Sequence, residues 1–252
     1  MQYISLPPIL DGVGVKYVVN EKFFDSWSSP MAYTLGYLFA DGSLENASYL
    51  RGKYVRVSST DRDRIETIKR LLSSEHSVVE EKAKKNRKER FVLRIGSHVL
   101  FDALIRLGVT ERKSLTMKFP SVPQNFFSDF VRGYFDGDGC VYFERGSGAT
   151  GKIVKRLSTI FTSGSKEFLS TLMHRLRKYS GVSVRDIYHY RENEFQLRYS
   201  TEDSLKIFSL IYSGSISKRL YLRRKYDIFK RYFKARPERV SDELKSVLAR
   251  VR

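Results

Sequence analysis

The hydrophobic and polar positions of this chain change period repeatedly, and each change marks an element. An apolar-aromatic run behind Ser28, Ser29 and Pro30 predicts a helix over 29–40, with serine as cap and proline in the first turn. Lys53–Ser59 then alternates, with Val55 and Val57 on one face and Tyr54, Arg56 and Ser58 on the other, as a half-buried strand does. Behind Asp61, the residues Ile65, Ile68, Leu71 and Leu72 recur at helical spacing. Val78–Lys85 and Arg90–Ile95 predict a hairpin, and Ser97 opens a helix that ends at Gly108.

The same order then returns. Phe126–Phe135 predicts a helix, and Gly146, Gly148 and Gly151 a turn leading into a strand over Ile153–Thr162. Phe168, Leu169, Leu172, Leu176 and Tyr179 mark the next helix, Val182–Tyr190 and Glu194–Tyr199 a second hairpin, and Ser204–Tyr212 a closing helix. With a strand started by the Asp-Gly pair that closes each of the two helices 29–40 and 126–135, the chain reads αββαββα twice. Ser217–Lys234 predicts a basic terminal helix and Val240–Val251 a further short one. The organisation is an N-terminal arm (1–28, with Pro7-Pro8, Asp11-Gly12 and Gly14), a first half (29–119), a second half (120–236, opened by Pro120 and Pro123) and a tail helix (237–252). The fold class is α+β with two pseudo-symmetric halves.

Two segments repeat one another at residue level. Gly36, Tyr37, Asp41 and Gly42 are matched by Gly133, Tyr134, Asp138 and Gly139 at one constant offset of 97 residues. A fixed offset over several positions marks a duplicated unit. Gly36 and Ala40 lie four apart, as do Gly133 and Gly137, so each helix carries a face almost without side chains. Two such faces can cross with their backbones very close. Asp41 and Asp138 would then emerge side by side at helix C-termini, where partial negative charge and mutual repulsion favour a cation. All-oxygen ligands favour a hard ion such as Mg2+. A lone Asp-Gly is more often a turn than a ligand; two in register behind glycine-bearing helices point to a site.

Composition adds the partner. The chain has 252 residues, with 46 basic against 28 acidic and a formal charge of +18. Such an excess speaks of a polyanion. No apolar run approaches the ~20 residues that span a bilayer, and apolar and charged residues alternate through Val13–Phe24, unlike a signal peptide. A single cysteine, Cys140, excludes an internal disulfide and fits a reducing intracellular compartment. His76, His98, His174 and His189 show no zinc-ligand spacing.

These motifs resemble the LAGLIDADG homing endonucleases in their two-motif, single-chain form. Phe130–Gly139 is close to the second motif of that family, and Ala32–Gly42 is a looser version of the first, with Phe39 where the pattern has its earlier Asp. The resemblance spans roughly residues 30–235. It implies paired antiparallel sheets forming a DNA-binding saddle, and a monomeric, Mg2+-dependent endonuclease that cuts both strands of a long target. Asp41 and Asp138 would hold the metal, with the carbonyls of Ala40 and Gly137 completing the shell. One lysine from each half would assist, Lys113 and Lys218 matching best and Lys225 standing in reserve.

The outward strand faces supply the candidate double-stranded DNA contacts. In the first half these are Arg56, Ser58, Arg90 and Arg94, and in the second Lys155, Ser158, Tyr188, Tyr190, Gln196 and Arg198. Six basic residues crowd Lys82–Arg90, and Lys84, Lys85, Arg87 and Lys88 suit phosphate contacts. The chain opens on Met1 and carries no cysteine or serine splice junction, which reads as free-standing or intron-encoded. The rival reading is an RNA intron maturase, with intron RNA as partner, or a DNA-binding regulator that keeps the fold without cutting.

Overall fold

The computed structural model describes residues 17–47, 52–83, 88–110, 113–147, 153–214 and 220–251. The first half runs α1 (Ser29–Asp41), β1 (Gly42–Ala47), β2 (Gly52–Ser59), α2 (Arg62–Leu71), β3 (Val78–Glu81), β4 (Arg90–Gly96) and α3 (His98–Arg106). A one-turn helix, α4 (Lys113–Thr116), follows. The second half runs α5 (Phe127–Asp138), β5 (Gly139–Ser147), β6 (Ile153–Ser163), α6 (Lys166–Ser180), β7 (Ile187–Arg191), β8 (Glu194–Tyr199) and α7 (Thr201–Tyr212), and the chain closes with α8 (Arg223–Ala235) and α9 (Asp242–Arg250). The doubled αββαββα order is present. Each half folds its strands into one antiparallel sheet, ordered β1-β2-β4-β3 and β5-β6-β8-β7.

The two motif helices form the centre. Every residue of α1 from Met31 to Phe39 is buried, and so is every residue of α5 from Asp129 to Asp136. A helix apolar nearly all round needs neighbours on all sides, and each has the other helix on one side and its own sheet on another. Ser28 caps α1, its hydroxyl accepting from the Met31 amide. At the far end Gly42 and Gly139 leave in extended conformation, their amides donating to the carbonyls of Leu38 and Phe135.

Local pattern overshot at three places. The predicted strand Val182–Tyr190 begins only at Ile187. The Asp203 carboxylate of α7 accepts from the Ser183 amide and the Arg185 guanidinium, so residues before Ile187 are held as a loop with Val182 buried beneath. The strand starting at Val78 stops at Glu81, and the basic terminal helix begins at Arg223 rather than Ser217. The residues before α1 lie along the end of α2, the Asn20 amide donating to Leu72 and the Glu75 amide to Val18.

Candidate active site and nucleic-acid interface

The glycine faces predicted from sequence meet in the structure. A Cβ added to Gly36 would lie 2.0 Å from the Phe130 carbonyl oxygen, and one added to Gly133 would lie 2.0 Å from that of Tyr33. Residues 33 and 130 are themselves one offset apart, so the two contacts are related by a pseudo-two-fold axis between the helices. Ala40 and Gly137 meet across that axis, where a Gly137 Cβ would approach the Ala40 Cβ to 2.3 Å and Asp41 Oδ2 to 3.3 Å. The missing side chain at 137 leaves open the space beside the Asp41 carboxylate. Asp41 is half-buried and Asp138 exposed, both at the joined C-terminal ends of α1 and α5.

The surroundings of the two carboxylates differ. The Tyr37 hydroxyl lies in hydrogen-bonding reach of Asp41 and Ser59, and burial together with the Asp41 charge pushes its pKa far up. Its counterpart Tyr134 donates to the Thr162 carbonyl at 2.6 Å. Beside Asp41 lies a cavity of about 190 Å³, lined by Ser58, Ser59, Thr60, Arg90, Gly137 and Arg224 among others. At the end of α5 lies a buried ammonium, within the field of both Asp41 and Asp138. Lys225 Nζ donates to the carbonyls of Phe135 (2.5 Å), Asp136 (2.8 Å), Gly137 (3.3 Å) and Gly139 (2.5 Å). It neutralises the negative end of α5. Burial draws its pKa down to about 8, against the pull of Asp136.

Asp136 is the buried anion of this end. Its Oδ2 accepts from the Tyr33 hydroxyl at 2.8 Å and from the Leu222 amide at 2.7 Å. Burial pushes its carboxyl above the usual range, and Lys225 most strongly opposes that. Among the described residues, the reserve lysine Lys225 stands at the motif helix. Lys218 lies outside the described residues, and so does the side chain of Lys113, whose backbone opens α4. A signal for Lys225 was available, since it shares one helical stripe with the buried Tyr226, Phe229, Tyr232 and Phe233. A lysine on an apolar stripe needs buried partners.

The donor set suits a hard cation, with two carboxylates and an open cradle beside Asp41, although the Gly137 carbonyl expected in the shell instead accepts from Lys225 Nζ at 3.3 Å. Among the described residues, no three His, Cys, Asp or Glu side chains gather as a metal site. A cation there would be held by Asp41 and Asp138 and would draw further oxygens from backbone, water or substrate.

On the outward face of the first sheet, Arg56, Ser58, Arg90 and Arg94 share one side as predicted, and Lys88 is exposed nearby. Lys84, Lys85 and Arg87 lie outside the described residues. Sequence reading missed the acids among them. Arg56 donates to Glu81 at 3.1 Å, and Arg94 donates to Glu45 at 2.8 Å while stacking 3.5 Å over Tyr54. On the second sheet, Ser158, Tyr188, Tyr190, Gln196 and Arg198 face outward together. Arg198 donates twice to Gln196 Oε1 and lies over the rings of Tyr188 and Tyr190. Lys155 does not belong to this set. It stands at odd spacing from Ser158, so the strand turns it to the helix-packed side, where Nζ donates to the Ala235 carbonyl at the end of α8. The exposed Arg156 takes the outward position.

Comparison with known proteins agrees with this geometry. Residues 126–212 match the model of the LAGLIDADG-like domain. An uncharacterised protein of Methanocaldococcus jannaschii is 26% identical over 212 residues, covering 79% of this chain and 72% of that protein. A probable translation initiation factor IF-2 of the same organism is 22% identical over 227 residues, 82% of this chain but only 18% of that protein. Among solved structures, the LAGLIDADG meganuclease I-AabMI bound to uncleaved DNA superposes with a TM-score of 0.56 at 13% identity, covering 87% of this chain and 95% of that one. Residues 126–212 therefore match a LAGLIDADG-like domain, and across both halves the chain has the fold of the single-chain LAGLIDADG endonucleases.

Proposed function

We propose that this protein is a site-specific double-strand DNA endonuclease that works as a monomer with a divalent cation, Mg2+ by preference, on a long asymmetric target. The observation that carries the reading is the pairing of Asp41 and Asp138 at the ends of two helices held by reciprocal glycine contacts. One chain then brings one carboxylate to each strand, with an outward sheet face for each half-site. The net charge of +18 supplies attraction to phosphates. The single cysteine suits a reducing intracellular compartment.

The chain's own groups divide the work. Tyr37 holds the Asp41 carboxylate, and Lys225 fixes the end of α5 so that Asp138 projects from a rigid, neutralised helix terminus. The outward arginines and tyrosines read base edges, whereas the basic loop around Lys84, Lys85, Arg87 and Lys88 contacts phosphates. A divalent cation bound between the carboxylates would supply an activated water and offset charge on the departing oxygen.

The test begins with a duplex selected by the protein from a randomised library and cloned into a supercoiled plasmid. With Mg2+ the wild-type protein should linearise it, while Asp41→Asn and Asp138→Asn should bind it and yield no linear product. Full linearisation by either variant would remove the metal assignment. Tight binding to folded intron RNA with no cutting of any duplex would replace the nuclease reading with the maturase one.

A further inference from the structure

Arg224 comes from the second half but lies in the cavity of the first-half carboxylate. It shares the lining of the 190 Å³ cavity with Asp41, Ser58, Thr60 and Arg90. Two anchors set it there. Arg132, wholly buried, donates to the Leu220 carbonyl at 2.7 Å, and Asp136 accepts from the Leu222 amide at 2.7 Å. The neighbouring Lys225 is locked into the end of α5. The first turn of α8 thus has no freedom to carry Arg224 elsewhere.

The first half answers with Asp61. This aspartate stands at the N-cap of α2 yet makes no side-chain cap hydrogen bond. Its carboxylate instead takes Arg224 Nε at 3.1 Å and a terminal nitrogen at 3.0 Å. A residue type suited to capping has been diverted to hold a guanidinium across the two halves. The pair uses Nε and one terminal nitrogen of the five-donor fork and leaves the second terminal nitrogen for a ligand. With 56% of its side chain exposed, Arg224 remains accessible to a phosphate, for which a guanidinium is well shaped.

We propose that Arg224 acts across the pseudo-two-fold axis, binding the phosphate of the strand that Asp41 serves, and that Asp61 is the positioning residue that holds it ready. This rests on the DNA reading above and extends it. The site at Asp41 would thus take its phosphate-binding guanidinium from the opposite half.

The experiment uses the full chain and duplexes selected by it from a randomised library. Each central phosphate on each strand is replaced singly by a neutral methylphosphonate, and binding is measured for wild type, Arg224→Ala, Arg224→Lys and Asp61→Asn. For wild type, neutralising one phosphate on one strand should weaken binding at least about ten-fold. Arg224→Ala should remove that sensitivity on this strand and leave the other strand's pattern unchanged, a coupling that a merely structural role would not produce. Arg224→Lys should recover only part of the sensitivity. Asp61→Asn keeps an equally good cap residue, so Tm should hold while the coupling weakens. Sensitivity that persists in Arg224→Ala, or falls equally on both strands, overturns the proposal. Binding reads out separately from cutting. Loss of cutting with intact one-strand coupling would unseat the nuclease reading alone, and cutting with no coupling would unseat Arg224 alone.

Discussion

The contact of Phe39 with Phe130 and the contact of Asp136 with Tyr33 occupy the same place in the molecule, one offset of 97 residues apart. On one side of the axis two phenyl rings meet edge to face at 5.5 Å, with Phe168 stacked beyond. On the other a buried carboxylate accepts from a buried tyrosine, and Arg64 reaches the same hydroxyl at 3.3 Å. The apolar version closes upon itself. The polar version needs partners: Oδ2 takes the Leu222 amide, and the Lys225 ammonium, bonded to the Asp136 backbone carbonyl, offsets the charge, which brings α8 against the motif helix. A single difference between duplicated positions thus decides where an additional helix docks.

The sharpest way to break this comparison is to make the polar side apolar. Asp136→Leu would leave the Leu222 amide and the Tyr33 hydroxyl without their acceptor and take away the carboxylate that offsets the buried Lys225 charge, and should cost about 3–5 kcal/mol by urea unfolding. Phe39→Leu, at the mirrored position, should cost less than about 1.5 kcal/mol. Equal losses would show that the two positions do the same job after all.

Where the halves are alike, substitutions should hurt alike. Gly36→Ala and Gly133→Ala each drive a methyl against a backbone carbonyl of the other helix, and each should cost about 3 kcal/mol, the upper end of overpacking losses. A Tm unchanged in either variant would mean that the helices do not cross at these glycines.

The smallest expected effect separates the two tyrosines. Tyr37→Phe removes a donor from Asp41, and should weaken Mg2+-dependent cutting roughly ten-fold, as loss of a partner behind a ligand does. Tyr134→Phe removes a donor from the Thr162 carbonyl and should cost about 1 kcal/mol of stability with little change in cutting. Plasmid cleavage and urea midpoints on both variants decide this, and equal effects on cutting would erase the distinction.

The outward faces differ in the same spirit. Arg56 and Arg94 of the first sheet are held by Glu81 and Glu45, and Arg198 of the second by Gln196 and two tyrosines. Strand alternation in the sequence located both faces, because side-chain period is local. It also carried the information that Lys155 and Ser158 stand at odd spacing. It carried nothing about which acid would meet which arginine, since Glu45 and Arg94 are partners only because β1 and β4 both flank β2.

By itself the sequence determined the doubled element order, the buried motif helices, the reciprocal glycine faces and the two aspartates that end them. Each follows from short-range periodicity, from the absence of a side chain, or from a repeat at fixed offset, and none needs knowledge of the remaining chain. Only the tertiary structure decided that Lys225 serves the α5 terminus, that Asp136 anchors α8, and that Asp61 abandons its cap for Arg224, 163 residues away. Buried and paired charges take the partner that the packing brings within about 3 Å, and the packing is settled by the whole core rather than by the residues beside them in the chain.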